Sequence, residues 1–381
     1  MRVLVDATAL GSGLGGDETM LRGLLRGLAR SVPTADDQVE VLATAGAALP
    51  PEVEDHPQFA VTRVRSLPGP AHFGARLPFA TRRRGAGLDL VFSVTHGGLA
   101  GGAPAALMVQ DLSFHHHPEF YPRASRLRLN TLVGHQVRRS AVVLTVSEFC
   151  RRDLIETYGL APEQVHTVPN TVERPTALPA DRIAGARQRL GCHGLTNPYL
   201  LYLGNLHPRK NVARTIDAFS QARRAGELDG VRLVIAGGRW WGAGEEVAAA
   251  RAPAGSVIFV GRVDEDERQV LMADALALVY VSLFEGFGLP PLEAMAVGTP
   301  VLASTATAIP EVCGDAALLV DPLDVDAIAV GMTQLTNDEA LRARLVVAGY
   351  RRVDHHDAES TGRAAWRAFA AAIPTPAGAS R

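Results

Sequence analysis

Apolar residues recur along this chain in two rhythms. Short aliphatic or β-branched runs read as strands at Arg2–Val5, Val39–Ala43, Ala60–Val64, Leu88–Phe92, Ala105–Val109, Val142–Val146 and Val165–Val168. A second series follows at Tyr199–Leu203, Arg232–Ala236, Val257–Val260, Ala275–Val281, Pro300–Ala303 and Ala317–Val320. Several runs are apolar throughout rather than alternating, which marks strands covered on both faces. Between them lie helical patterns such as Asp17–Arg30, Glu148–Tyr158, Val212–Ala225 and Pro290–Val297, with Asp357–Ala372 at the end. Strand–helix–strand alternation in both halves predicts an α/β protein of two doubly wound, Rossmann-like domains facing across a cleft. Open sheets of this kind bind ligands beyond the carboxyl ends of their strands, so the loops there are where chemistry is sought.

The rhythm lapses over Glu173–Ala186, which carries Pro175 and Pro179, and restarts at Tyr199. We therefore expect an N-terminal domain over 1–180, a C-terminal domain over 181–356, and a closing helix with a loose tail over 357–381. A length of 381 residues gives each domain ample volume for its own core. The net charge of −2 offers no strong field for nucleic acid. Cys150, Cys192 and Cys313 are too few and too scattered for a disulfide framework or a zinc site, and fit a reducing cytoplasm. Met1–Leu10, broken by Asp6, reads as a first strand and not as a signal peptide, and Ala275–Phe284 is too short to cross a bilayer.

Composition changes the picture at one position. Of the 38 lysines and arginines, Lys210 is the sole lysine. A GC-rich genome drifts towards arginine wherever either cation serves, so a retained lysine suggests a need for a compact ammonium. It stands in Gly204-Asn205-Leu206-His207-Pro208-Arg209-Lys210-Asn211, after the strand Tyr199–Leu203, with Asn211 placed to cap the next helix. Two cations at a strand's carboxyl end match a diphosphate, although a solvated basic turn has the same spelling.

The other informative segment is Phe284-Glu285-Gly286-Phe287-Gly288-Leu289-Pro290-Pro291-Leu292-Glu293, followed by Gly298 and Pro300. A glycine-punctuated loop leads into a helix opened by prolines and closed by glycine, which makes an anion site from free N–H groups. An ordinary strand–turn–helix connection would look similar. Glu285 and Glu293 would repel a phosphate unless they reach past it to hydroxyls. Dipole compensation would equally place Glu293 there.

Glu285 and Glu293 form an E-x7-E pair. With Pro208-Arg209-Lys210-Asn211, Thr145-Val146-Ser147-Glu148-Phe149 and Val168-Pro169-Asn170, the chain resembles the retaining GT-B glycosyltransferases of family four over nearly its whole length. The resemblance implies a nucleotide-diphosphate sugar as co-substrate on the C-terminal domain, a hydroxyl-bearing acceptor on the N-terminal domain, and no metal or other cofactor. The acceptor would be a saccharide, a lipid carrier or a natural-product scaffold, as in antibiotic biosynthesis. Lys210 and Arg209 would neutralise the diphosphate, and Glu293 would bind the ribose. Glu285, with the Gly286-Phe287-Gly288-Leu289 backbone, would hold the donor sugar. Arg262 and Val263 would line the base, and Gly15 and Gly16, in the loop from Gly11, would let backbone approach phosphate and acceptor.

Two positions depart from the family pattern. Asn205 stands where many members carry arginine, a charge Arg209 can supply. Gln110, before Asp111, stands where the family usually has a histidine facing the donor sugar, and glutamine is no cation near neutral pH. Either the donor differs at C5 or C6, as a pentose or deoxysugar, or glutamine serves the same sugar. A non-catalytic nucleotide-sugar-binding subunit, an epimerase and a phosphorylase stay as alternatives. His115, His116 and His117 are too close in sequence to share a metal, and His96 is a looser candidate. Arg22, Arg26 and Arg30 share one face of the first helix, which suits weak membrane association or a solvated outer face, and Arg82-Arg83-Arg84 is equally open.

Overall fold

The structure, a computed structural model, describes residues 1–11, 15–65, 87–94, 103–195, 198–238, 248–249 and 251–373. The chain forms two compact units, 1–171 with 356–381, and 172–355. The first holds β1 (Arg2–Asp6), β2 (Gln38–Thr44), β3 (Phe59–Val64), β4 (Leu90–Val94), β5 (Ala105–Met108), β6 (Val142–Thr145) and β7 (Val165–Thr167). They make one sheet in the order β3-β2-β1-β4-β5-β6-β7. The second holds β8 (Tyr199–Leu203), β9 (Arg232–Ala236), β10 (Val257–Gly261), β11 (Ala277–Tyr280), β12 (Val301–Ser304) and β13 (Leu318–Val320), ordered β10-β9-β8-β11-β12-β13. Every strand pair is parallel, and β4 and β8 are buried at each position, as the unbroken apolar runs require.

The strand order reverses between β1 and β4 in one sheet and between β8 and β11 in the other. Helices leave the two central strands in opposite directions there and open a crevice at the carboxyl ends.

The domain boundaries differ from the expectation. The first unit stops at Thr171, not 180, and the closing helix, Ala358–Ala372, belongs to that unit. It crosses helix Gly15–Arg30 where two glycines meet. A Cβ on Gly362 would lie 2.0 Å from the Gly27 carbonyl oxygen, so no larger residue lets the backbones approach. Trp366 Nε1 donates to Leu28 O at 3.2 Å, and Thr361 Oγ1 to Pro169 O at 2.8 Å. Part of the expected linker is also helical, over Ala180–Gly191, because Pro179 suits a helix start as well as a loop. Arg182, Arg187 and Arg189 on that helix pair with Asp266, Asp274, Asp264 and Glu267 on and beside helix Glu265–Asp274. No helix among the described residues is long and apolar enough to cross a membrane. The tail 374–381, Arg82–Arg84 and His96 lie outside the described residues.

Candidate functional site

The residues singled out in the second half meet at the switch point of the second sheet. Arg209 and Lys210 sit on a single helical turn, Pro208–Lys210, just after β8. Glu285 follows β11, the adjacent strand across the reversal. Its carboxylate takes Lys210 Nζ on Oε1 at 2.5 Å and Arg209 Nη1 on Oε2 at 2.6 Å. Arg209 Nη1 also donates to Phe284 O at 2.9 Å, and the Leu283 amide donates to Arg209 O at 2.7 Å. The two loops are thus tied through both backbone and side chains.

Glu285 is only 5% exposed. Burial alone would raise its pKa, but the charges of Arg209 and Lys210, with their hydrogen bonds, outweigh this and hold it at about 2. Its backbone N–H donates to Thr307 Oγ1 at 3.0 Å, which fixes the loop from a third side. The sequence reading missed Tyr280 altogether. The hydroxyl of this last residue of β11 accepts from Lys210 Nζ at 2.5 Å and donates to Glu285 Oε1 at 2.9 Å. Nothing in an apolar strand run flags a tyrosine whose hydroxyl reaches an ion pair.

Asn211 corrects an expectation. It adopts a left-handed conformation, φ 61°, and its side chain does not cap helix Val212–Arg224. Nδ2 instead donates to Val281 O at 3.0 Å and Pro322 O at 2.7 Å. Oδ1, the oxygen a cap would use, accepts from Arg214 Nη1 and not from the helix amides, and asparagine tolerates the left-handed backbone.

Gly288, φ 106°, precedes helix Leu289–Ala296, and a Cβ there would meet Ile309 Cδ1 at 2.5 Å. The helix begins one residue earlier than expected, so Pro290 and Pro291 occupy its first turn. Lacking N–H groups, they leave Phe287, Gly288 and Leu289 as the backbone donors. Glu293, one turn on, meets Arg268 Nη1 at 2.7 Å through Oε2. Neither ribose binding nor dipole compensation anticipated this partner, which comes from the distant helix Glu265–Asp274. Burial disfavours the Arg268 charge, but Glu293 and Glu265 hold its pKa above the ordinary value.

The loops after β8, β9 and β10 meet beside this cluster. A Cβ on Gly237 would fall 1.8 Å from Gly204 O, and one on Gly238 would fall 2.6 Å from Arg262 Nε. Asn205 and Arg262 therefore lie on neighbouring loops, with Val263 following Arg262. Gly237 N donates to Gly261 O at 2.7 Å.

In the first unit, Gly15 and Gly16 form the first turn of helix Gly15–Arg30, and residues 12–14 lie outside the description. Gln110, after β5, donates through Nε2 to Asp17 Oδ1 on that turn at 2.5 Å. The three histidines diverge: His115 meets Asn130, His116 meets Asp153 and His117 meets Glu119. No group of three metal-ligating side chains occurs among the described residues. The basic face of the first helix is paired within its own unit. Arg26 and Arg30 reach Glu52 at 3.2 and 2.6 Å, and Arg22 donates to Ala48 O at 2.7 Å.

Comparison with known proteins places both halves. The family described as "Glycosyl transferases group 1" matches residues 193–352, and "Glycosyltransferase Family 4" matches residues 14–174. The chain belongs to the group 1, family 4 glycosyltransferases.

Among relatives, the O-antigen chain mannosyltransferase B of Escherichia coli is 32% identical over 244 residues, 62% of each chain. The MMP alpha-(1->4)-mannosyltransferase of Mycolicibacterium hassiacum is 32% identical over 220 residues, 56% of this chain and 50% of that one. The matches thus span half to under two thirds of those relatives. HepE of Anabaena, solved with UDP and glucose, aligns with a TM-score of 0.70 and 19% identity over 97% of this chain and 99% of that one. Sucrose-phosphate synthase of Thermosynechococcus elongatus gives 0.70 and 20%, covering 97% and 98%. The fold is GT-B.

Proposed function

We propose that the protein is a glycosyltransferase that moves a sugar, with retention, from a nucleotide-diphosphate sugar to an acceptor hydroxyl. One observation carries the reading. Lys210, Arg209 and Glu285 converge at the switch point of the second sheet, beside the glycine-led start of helix Leu289–Ala296. Cations at such a crevice suit a diphosphate, and the buried carboxylate suits the hydroxyls of the attached sugar.

In this reading Lys210, Arg209 and the N–H groups of Phe287, Gly288 and Leu289 stabilise the charge that grows on the leaving diphosphate. The bond from the anomeric carbon to the phosphate oxygen breaks as the acceptor oxygen bonds to the same carbon on the same face. The acceptor proton passes to a phosphate oxygen of the leaving group. Glu285, already committed to two cations, positions the donor and is not the nucleophile. Glu293, held by Arg268, faces the ribose, and Asn205, Arg262 and Val263 border the base. The second unit holds the donor and the first the acceptor, and no metal takes part.

The relatives named as mannosyltransferases make a nucleotide-diphosphate mannose the first donor to try. A pentose or deoxysugar, suggested by Gln110, is the contrasting donor. Any weak membrane contact would use helix Arg123–Arg139, whose Leu127 is 71% exposed among five arginines and no acid, instead of the paired face of the first helix. Incubation with a panel of nucleotide sugars and hydroxylated acceptors tests the function. Glycosylated product with free nucleoside diphosphate supports it, and binding without transfer or donor hydrolysis would leave a non-catalytic subunit. Retention is read from the anomeric configuration of the product.

A further inference from the structure

The donor site contains a buried polar group, the Tyr280 hydroxyl, to which the proposed chemistry gives no task. Tyr280 is 1% exposed and ends β11, where a phenylalanine would fill the same space. Its hydroxyl nevertheless lies between Lys210 Nζ, at 2.5 Å, and Glu285 Oε1, at 2.9 Å. Arg209 holds the other carboxylate oxygen at 2.6 Å, and Thr307 accepts from the Glu285 backbone. The charged and titratable groups around the hydroxyl are Glu285, Lys210, Arg209 and Tyr202.

An incoming diphosphate carries about two negative charges and competes with Glu285 for both cations. A buried carboxylate whose cations turn away has two ways to respond. It can pull them back, which opposes binding, or it can lean on a neutral donor that the phosphate does not attract. Tyr280 is such a donor. Burial first, and then the charge of Glu285, push its hydroxyl well above the ordinary tyrosine value, so it stays protonated.

We propose that Tyr280 is a positioning residue: its hydroxyl retains Glu285 Oε1 and anchors Lys210, so that Lys210 and Arg209 can turn to the donor diphosphate while Glu285 stays ionised and aimed at the sugar. This rests on the donor-site reading above. Tyr280 touches no reacting atom and acts through Lys210 and Glu285.

Tyr280→Phe removes one oxygen and keeps the ring. Tyr199→Phe is the control, a buried tyrosine of the same sheet whose hydroxyl donates to Leu271 O at 2.9 Å, away from the site. Calorimetric titration with GDP and UDP at neutral pH is compared with kcat and KM for the donor that the wild type uses, and the melting temperature is followed from pH 2 to 7. We expect Tyr280→Phe to bind nucleoside diphosphate several-fold more weakly and to lose on the order of 10-fold in kcat/KM. The acid limb of its melting-temperature profile moves to higher pH, because a carboxylate that loses a donor ionises less readily. Tyr199→Phe leaves all three unchanged. Wild-type constants and acid limb in Tyr280→Phe, or equal losses in Tyr199→Phe, would overturn the inference alone. Failure of the wild type to bind either nucleotide would remove the donor site and this role with it. Should Tyr280→Phe not fold, ring-labelled wild type gives the answer: the Tyr280 Cζ resonance moves on adding nucleoside diphosphate while Tyr199 stays, and a static Tyr280 signal contradicts the proposal.

Discussion

The two sheets share a plan but end in different chemistry. At the reversal of the second sheet, an ammonium, a guanidinium, a carboxylate and a phenol interlock within 2.9 Å of one another along the contacts described. At the carboxyl end of the first, the described contacts include an amide and two hydroxyls against carboxylates, Gln110 to Asp17, Thr8 to Asp6 and Ser113 to Asp111. Parallel topology decides where a crevice opens, and side chains decide what it can hold. In the proposed reading, a diphosphate has fixed charge and one preferred chemistry, so its site would be spelled in cations, whereas a hydroxyl acceptor is neutral and varied and would need no such signature.

The largest effect should come from deleting the ammonium. Lys210→Ala is expected to cut turnover by roughly 100-fold or more, as loss of a preorganised charge at a leaving group does. Steady-state assay of product checks this, and near-wild-type turnover would erase the contrast between the two sheets. Glu285→Gln comes next, with a loss on the order of 10-fold in kcat/KM. It also has a stability signature. The Glu285 pKa of about 2 lies below the usual 4.5, so its contribution is complete above about pH 4.5 and disappears as pH falls towards 2. The melting temperature of the wild type should exceed that of Glu285→Gln at neutral pH, and the gap should close over that acid window. A gap that widens towards low pH would contradict the ion-pair account.

Gln110→His probes the lighter side. Beside Asp17 it should change turnover by less than about 10-fold and shift preference among donor sugars. A loss as deep as that of Lys210→Ala would show that both sheets carry the reaction equally. The smallest effect is expected at the surface. Charge reversal at the exposed Arg123 and Arg128 should weaken sedimentation with anionic vesicles by about 1 kcal/mol per residue, whereas Arg26→Ala should not. The opposite ranking would return the membrane-facing role to the first helix.

Much of this was legible in the chain itself. The all-apolar runs foretold buried parallel strands, and Lys210, singled out by the rarity of its residue type, lies in the ion-pair cluster with Glu285. What escaped the sequence depends on partners distant along the chain. Arg268 reaches Glu293, Asn211 reaches Pro322, and Gly27 meets Gly362, and no local pattern encodes such meetings. Tyr280 escaped for another reason. In a strand its ring satisfies the apolar pattern, and only the fold shows where the hydroxyl ends. The helix within the expected linker was hidden because prolines begin helices as readily as they mark loops.

A crystal soaked with GDP or UDP tests the central claim most directly. The account predicts the diphosphate against Lys210 Nζ, Arg209 and the amides of Phe287 to Leu289, at the reversal between β8 and β11. Nucleotide bound at any other place, with the Lys210–Glu285–Tyr280 contacts untouched, would contradict it.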